Sequence, residues 1–495
     1  MTLAATTQPT KLVKAAPWII AGLMVLSTLL SLAFFQRQSL RLDEAQSLWQ
    51  TSHGPAMILK LVGEDVHVPL YHLILHVWQL FFGNDVSLAR LLSFFFFLLS
   101  IPLMYALGRL CYDVKTSLFT TALFVISPFM NWYANEIRMY SLLVFMVLLN
   151  QYFFVSIFKK KTTGAWIGFT ITAILGMYTH YFFFLILLAD LFFYFYNRRL
   201  FLPRSLPKFF GVFFLLVVLF TPWVLYVLYL GSSANSAPSL APPTTVNVFN
   251  TFSEFLFGFQ TDHLNTILVS LWPLTILLAF LALRKNEKLR PETIYFLIAF
   301  LLPNIVAFAV SIVVRPVYLS RYLIFTLPSM YFVVAWLLGT YPRRMAIIAR
   351  TALLVLMAGT LWVEAVSAAT PVKENYREAV NYLEEHVKPA DVIVVSAPFT
   401  IYPVMYYYRG PALLSTLPIW DMLAHGPIPA FFEAELPGQV STLAAGHENL
   451  WLLLSYDQGY QEKVRLYFDT HFERTYTHKF SPGLSLYKYK LRYDR

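Results

Sequence analysis

MYSLLVFMVLLNQYFFVSIF, residues 139–158, runs twenty positions without a charge and is closed by Lys159-Lys160-Lys161. As a helix, twenty apolar residues cross a hydrocarbon core of about 30 Å. Lysines at one end mark the cytoplasmic side, where basic residues accumulate. At the other end stand Asn135, Glu136 and Arg138. The stretch therefore predicts a membrane span with a basic inner end and a mixed polar outer end.

Ten comparable runs flank it, near 15–35, 88–108, 116–132, 164–180, 182–196, 209–230, 264–283, 292–313, 320–340 and 344–366. Composition agrees: 58% of the 495 residues are hydrophobic and 13% charged, against about 25% charged in a soluble domain. Mean hydropathy is +0.59. The fold class expected is a polytopic α-helical membrane protein with about eleven transmembrane helices. The first run follows Lys11 and Lys14, lacks a small-residue cleavage site, and reads as a retained span rather than a removed signal.

Charge placement sets the orientation. Eighteen Lys and Arg fall on the proposed inner side, among them Lys14, Arg109, Lys115, Arg198, Arg204, Lys288 and Arg350. Seven fall on the proposed outer side: Arg37, Arg41, Lys60, Arg90, Arg138, Arg315 and Arg321. Up to residue 366 there are 25 Lys and Arg against 13 Asp and Glu, and beyond it 12 against 14. The formal surplus of +10 thus records cytoplasmic loops and is no sign of a nucleic-acid partner. An odd number of spans places the N-terminus in the cytoplasm and the C-terminus outside, across a cell or inner membrane.

Two outer loops are long, at about 36–87 and 231–263. Residues 1–366 are read as one membrane domain and 367–495 as a small extracytoplasmic α/β domain. In the latter, Glu374–Val387 and Tyr460–His471 have helical periodicity, Asp391–Ser396 and Leu450–Ser455 read as buried strands, and Ser481-Pro482-Gly483 turns a final hairpin. One cysteine, Cys111, excludes a disulfide framework. There is no internal repeat, and no Asn-x-Ser/Thr sequon occurs.

Ionisable groups at a membrane are expensive, so their grouping carries information. Arg41, Asp43 and Glu44 follow the first span; Glu64, Asp65 and His67 lie in the first outer loop. Glu136 and Arg138, His180 and Tyr181, and Arg315, Arg321 and Tyr322 meet the same outer rim. Taken singly, such residues are mostly interfacial anchors; five stretches converging on one face make a candidate site.

These residues carry a resemblance. Arg41-Leu42-Asp43-Glu44-Ala45, His67-Val68-Pro69-Leu70-Tyr71, Tyr133-Ala134-Asn135-Glu136-Ile137-Arg138-Met139-Tyr140 and Tyr178-Thr179-His180-Tyr181-Phe182 resemble the ordered motifs of the GT-C glycosyltransferases. These enzymes use polyprenyl-phosphate sugars and include protein O-mannosyltransferases and lipid A aminoarabinose transferases. The likeness spans about residues 15–230, with Arg321-Tyr322-Leu323 and Leu327-Pro328 echoing a later segment. Val68 stands where the family has a second proline, and Ala134 and Ile137 stand where it typically has Ser and Ala, so the identity of the sugar does not carry over.

The resemblance implies transfer of a sugar from a polyprenyl-phosphate donor to a lipid, glycan or protein acceptor hydroxyl at the outer face. The leaving group is a phosphomonoester that departs without a proton, so one carboxylate suffices as base. Asp43 is the expected base, with Glu44 beside it. Neighbours in sequence point in different directions, which makes Glu44 the structural member of the pair. Arg138 suits phosphate oxygens through its planar fork. His67, Glu136, His180, Tyr181, Arg321 and Tyr322 are the further donor-site candidates. On a regular helix Glu136 and Arg138 would face apart, so both line a site only if that turn is not helical. Some relatives hold a divalent metal and others do not; Glu64, Asp65, His67 and His263 are weak ligand candidates without a compact motif. A transporter or flippase is the alternative, resting mainly on the deeply placed Asp190. A glycosidase would need two carboxylates flanking the bond.

Overall fold

The computed structural model describes residues 11–36, 38–65, 67–203, 205–231, 240–285, 289–367, 371–424 and 428–491. Arg37, Arg204, Lys288 and loop residues 232–239 lie outside the described residues. The chain divides into two compact units. The first holds residues up to 36, 67–229 and 239–366; the second holds 37–66, 230–238 and 367–495.

In chain order, α1 (Lys11–Leu30) continues as a π-helical turn to Phe35. Next come α2 (Leu42–Thr51) and α3 (Pro55–Glu64), both in the second unit. The first unit resumes with α4 (Leu70–Phe82), α5 (Val86–Cys111), α6 (Val114–Ile126), α7 (Pro128–Ala134) and α8 (Tyr140–Lys159). It goes on through α9 (Thr163–Thr179), α10 (Phe183–Tyr196), α11 (Ser205–Leu230) and α12 (Thr245–Phe257). α13 (Asp262–Ser270), α14 (Trp272–Lys285), α15 (Pro291–Val313), α16 (Leu327–Gly339) and α17 (Arg343–Val366) complete it.

Eight helical stretches among the described residues are long and apolar enough to cross a membrane. The protein is a multi-pass α-helical membrane protein. The count differs from eleven for local reasons. The run at 116–132 is broken at Ser127-Pro128: Pro128 opens a new helix, and the Ser127 hydroxyl accepts the Met130 N–H at 3.1 Å. The runs at 164–180 and 182–196 form helices of 17 and 14 residues. The stretch read as outer loop 36–87 instead contains three helices, of which α4 is apolar.

Carboxylates and hydroxyls set the helix starts. Asp85 accepts the Ser87 and Leu88 N–H groups at 2.8 and 3.2 Å, and Asp113 accepts that of Thr116 at 2.7 Å. α8 is the most enclosed span, with 78% of its apolar window buried. Away from water, polar side chains must find one another. Asn150 donates to Thr172 at 3.2 Å, Gln151 to Ser329 at 2.8 Å and the Tyr295 hydroxyl to Asp190 at 2.8 Å.

In the second unit, α18 (Tyr376–His386), α19 (Ile401–Tyr407), α20 (Leu436–Ala444) and α21 (Gln461–His471) cover a five-stranded sheet. Its strands are β1 (Val392–Ser396), β2 (Leu413–Thr416), β3 (Asn449–Ser455), β4 (Glu473–Ser481) and β5 (Leu484–Lys490), in the order β2-β1-β3-β5-β4. β1 pairs in parallel with β2 and β3, while β5 runs antiparallel to β3 and β4. Alternation explains the two cores: Ile393, Val395, Trp451 and Leu453 join α18 and α19, whereas Val392, Val394, Leu450 and Leu452 join α20 and α21. With both faces covered, β1 is apolar along its length. The closing turn is made at Gly483, whose φ of +76° suits glycine.

α2 is packed within this unit. The Trp49 and Tyr402 rings lie 5.2 Å apart, the Leu40 N–H donates to the Tyr407 hydroxyl at 2.9 Å, and the Arg377 N–H donates to Ser39 Oγ at 3.2 Å.

Candidate functional site

Between α7 and α8 the chain leaves helical geometry for residues 135–138. The turn is closed by the Arg138 N–H donating to the Glu136 carbonyl at 2.7 Å. Asn135 faces the end of α1: its Oδ1 accepts from Gln36 at 3.0 Å and also from the Ser31 hydroxyl. Arg90, fully buried, donates to the Phe35 and Gln36 carbonyls at 3.4 and 3.3 Å. Asn135 and Arg90 thus satisfy groups where the π-turn leaves the regular ladder. Glu136 and Arg138 are both buried on the non-helical turn.

Arg138 NH2 lies 2.7 Å from His67 Nε2. A guanidinium only donates, so His67 Nε2 accepts and the ring is neutral, with its proton on Nδ1. The Tyr181 hydroxyl donates to the His67 carbonyl at 3.2 Å and accepts from Trp223 Nε1 at 3.0 Å. His180, next in chain, has its Nδ1 fixed by the Phe182 N–H at 3.1 Å. Its ring lies 5.8 Å from that of Tyr322, over which the Arg321 guanidinium sits at 5.5 Å. Burial, and secondarily the Arg138 charge, push the His180 imidazole down to about 3, so it is neutral at physiological pH. The first unit therefore brings together His67, Arg138, His180, Tyr181, Arg321 and Tyr322, from four separate segments of sequence.

Sequence reading missed two acids nearby. Glu254 on α12 is bonded by the Ser320 side chain, and burial raises its carboxyl to about 7. Its Oε2 is shielded from solvent and has no hydrogen-bond partner. The Tyr133 hydroxyl feels the charges of Glu136, Arg321 and Glu254, so Glu254 belongs to the same neighbourhood. Glu364, fully buried at the end of α17, accepts the Phe259 N–H at 3.0 Å. The available signal was a lone acid in an otherwise apolar helix, which is expensive unless engaged.

Asp43 and Glu44 lie in the first turn of α2. Glu44 is fully buried and accepts the Arg41 N–H at 2.9 Å, a helix-start bond. Glu64 pairs with Lys60 at 3.9 Å, Asp65 Oδ2 accepts from Gln46 and Gln50 at 3.0 and 3.3 Å, and His263 is exposed on α13. No group of three or more His, Cys, Asp or Glu poised for a metal occurs among the described residues. Asp190, on which a transporter reading leans, is held by Tyr295.

The chain is similar over 96% of its length to the ArnT protein of Cupriavidus metallidurans in the apo state, covering 98% of that chain with a TM-score of 0.64 at 12% identity. The fold is that of the GT-C glycosyltransferases. ArnT bound to undecaprenyl phosphate gives a TM-score of 0.62 at 13% identity, with the same coverage of both chains. The Archaeoglobus fulgidus oligosaccharyltransferase, in complex with Zn and sulfate, gives 0.51 at 12% identity, over 95% of this chain and 72% of that one. At the level of sequence, the family model for dolichyl-phosphate-mannose-protein mannosyltransferase matches residues 66–226 of this GT-C-fold chain. That segment contains His67, Arg138, His180 and Tyr181. No curated protein matches by sequence.

Proposed function

We propose that the protein transfers a sugar from a polyprenyl-phosphate donor to an acceptor hydroxyl at the extracytoplasmic face of the membrane. The observation that carries this reading is the buried Arg138–His67 pair, tied to Tyr181 inside the segment matched by the mannosyltransferase family model. A buried guanidinium beside an imidazole offers a fixed positive fork suited to the oxygens of a phosphate. His180, Tyr181, Arg321 and Tyr322 line the same donor region, and Glu136 shares its turn. The likeness to ArnT, a protein whose structure holds undecaprenyl phosphate, adds weight.

In the step proposed, Asp43 takes the proton of the acceptor hydroxyl as its oxygen bonds to the anomeric carbon. The bond from that carbon to the donor phosphate oxygen breaks, and its electron pair leaves with the polyprenyl phosphate. Arg138 stabilises the phosphate as charge collects on it. Glu44, spent on the α2 start, supports the helix that presents Asp43.

The test supplies purified protein with a panel of polyprenyl-phosphate sugars and measures release of polyprenyl phosphate. Asp43→Asn is expected to lose about 10²–10⁴-fold in kcat, the usual worth of a general base. Full turnover by that variant overturns the base. Arg138→Ala should raise the donor KM about tenfold or more, the value of a charge-assisted bond; an unchanged donor KM rejects the phosphate role.

A further inference from the structure

Within the second unit an open cleft of about 520 Å³ lies between Gln38–Ser39, the start of α18 and the β4–β5 turn. We propose that this cleft binds the carbohydrate of an uncharged acceptor and holds it for Asp43, an inference that rests on the transferase reading above. Three observations carry it.

The first is the chemistry of the lining. Two cations, Lys373 and Arg377, are matched by two acids, Glu374 and Glu378. A phosphate or other anion would meet as much repulsion as attraction. The amides of Gln38, Asn375 and Asn381 line the same walls; Asn375 is held at both ends by Glu378 and Gln38 Oε1 by Arg41, while Asn381 presents an exposed amide with both donors and an acceptor. Phe480 adds a half-buried ring to one wall. Paired donors and acceptors beside an aromatic surface suit a polyol, whose hydroxyls need both kinds of partner and whose C–H face is apolar.

The second is reach. Gln38 and Asp43 are five residues apart, at most about 18 Å for an extended chain, and the chain turns into α2 at Leu42. A sugar held against Gln38 and Ser39 is therefore close along the backbone to the proposed base, inside one unit.

The third is connection. Arg41 NH2 donates to Gln38 Oε1 at 2.8 Å, and its charge acts on Glu374, whose carboxyl burial holds above the ordinary range. The Arg377 N–H holds Ser39 at the same wall. Occupation of the cleft thus bears on the residues that begin α2.

The experiment is saturation-transfer NMR on the full chain in lipid nanodiscs free of glycosidic detergent. Chitobiose, maltose and lactose are the neutral probes, with glucose 6-phosphate as the anionic one. Signal is expected from at least one neutral disaccharide. Asn381→Arg and Phe480→Ala should each weaken it at least fivefold, while Glu385→Gln, on exposed α18 surface outside the cleft, leaves it intact. The proposal is overturned if no neutral disaccharide gives a signal, if only glucose 6-phosphate does, or if neither cleft variant changes it. Donor turnover without sugar contact sinks the cleft and spares the transferase; sugar contact in a protein that never releases polyprenyl phosphate keeps the cleft and sinks the transferase.

Discussion

His180 is a neutral imidazole by position. Its depressed value means that the folded state refuses a proton that the unfolded chain accepts below about 6.5. Stability therefore rises with pH between about 3 and 6.5 and falls on acidification. At pH 5 the cost is about 2 kcal/mol. Melting temperatures taken from pH 7 to pH 5 should fall less steeply in His180→Asn than in the parent. Glu254 runs the other way: with its carboxyl raised to about 7 by burial, its stabilising contribution is complete below about 4.5 and is lost as pH rises through 7. Glu254→Gln should flatten the melting profile over that window, and an unchanged profile would refute the assignment. The motif residues His67, Arg138, His180 and Tyr181 were legible in sequence because they are polar groups in short ordered motifs set among or beside apolar runs. Glu254 was not, because its meaning depends on Ser320 and Arg321, more than sixty residues away along the chain.

Among the elements, α12 shows what a pattern of spans misses. It lies in a stretch read as loop, yet the Tyr331 hydroxyl donates to the Phe255 carbonyl at 2.6 Å, and the Phe129 ring packs 5.2 Å from that of Phe255. The helix ends at Gly258, with φ at +68°. A Cβ there would collide with Glu364 Oε2 and lie 2.6 Å from Pro128 Cβ. Gly258→Ala is expected to cost about 1–3 kcal/mol through overpacking and backbone strain, read as a lowered melting temperature. In the second unit β1 and β3 were legible from their apolar runs, whereas β2 was not: four residues, three of them exposed or half-buried, carry almost no periodic signal. Asp391, at the entrance to β1, is fully buried and accepts from Trp451 Nε1, Asn449 Nδ2 and the Lys388 N–H at 3.0, 2.8 and 3.1 Å. Asp391→Ala leaves three donors unanswered and should cost at least about 3 kcal/mol, seen as faster tryptic cleavage beyond residue 367.

For the whole molecule, charge bias predicts sidedness, and the chain is well suited to testing it. Its one cysteine, Cys111, is buried, so a membrane-impermeant maleimide has little background. Lys463→Cys, on exposed α21, should label from outside intact cells, and Lys160→Cys only after permeabilisation; the reverse pattern inverts the topology. Helical membrane character was legible from composition because twenty-residue apolar runs have few other uses. The division into units was less so, since nothing in the run of residues 38–65 announces its partners beyond residue 370. Those partners have a consequence for fragments of the protein. α2 is held by Tyr402 and Tyr407, and Ser39 by the backbone of Arg377. A chain truncated after residue 366 keeps Asp43 but removes the scaffold of the helix that bears it. Such a truncate should be inactive, having lost the acceptor cleft as well as that scaffold, even though no deleted residue is proposed to touch the bond that breaks. Supplying residues 367–495 as a separate polypeptide would then measure how much of catalysis is a matter of holding one helix and one acceptor in place.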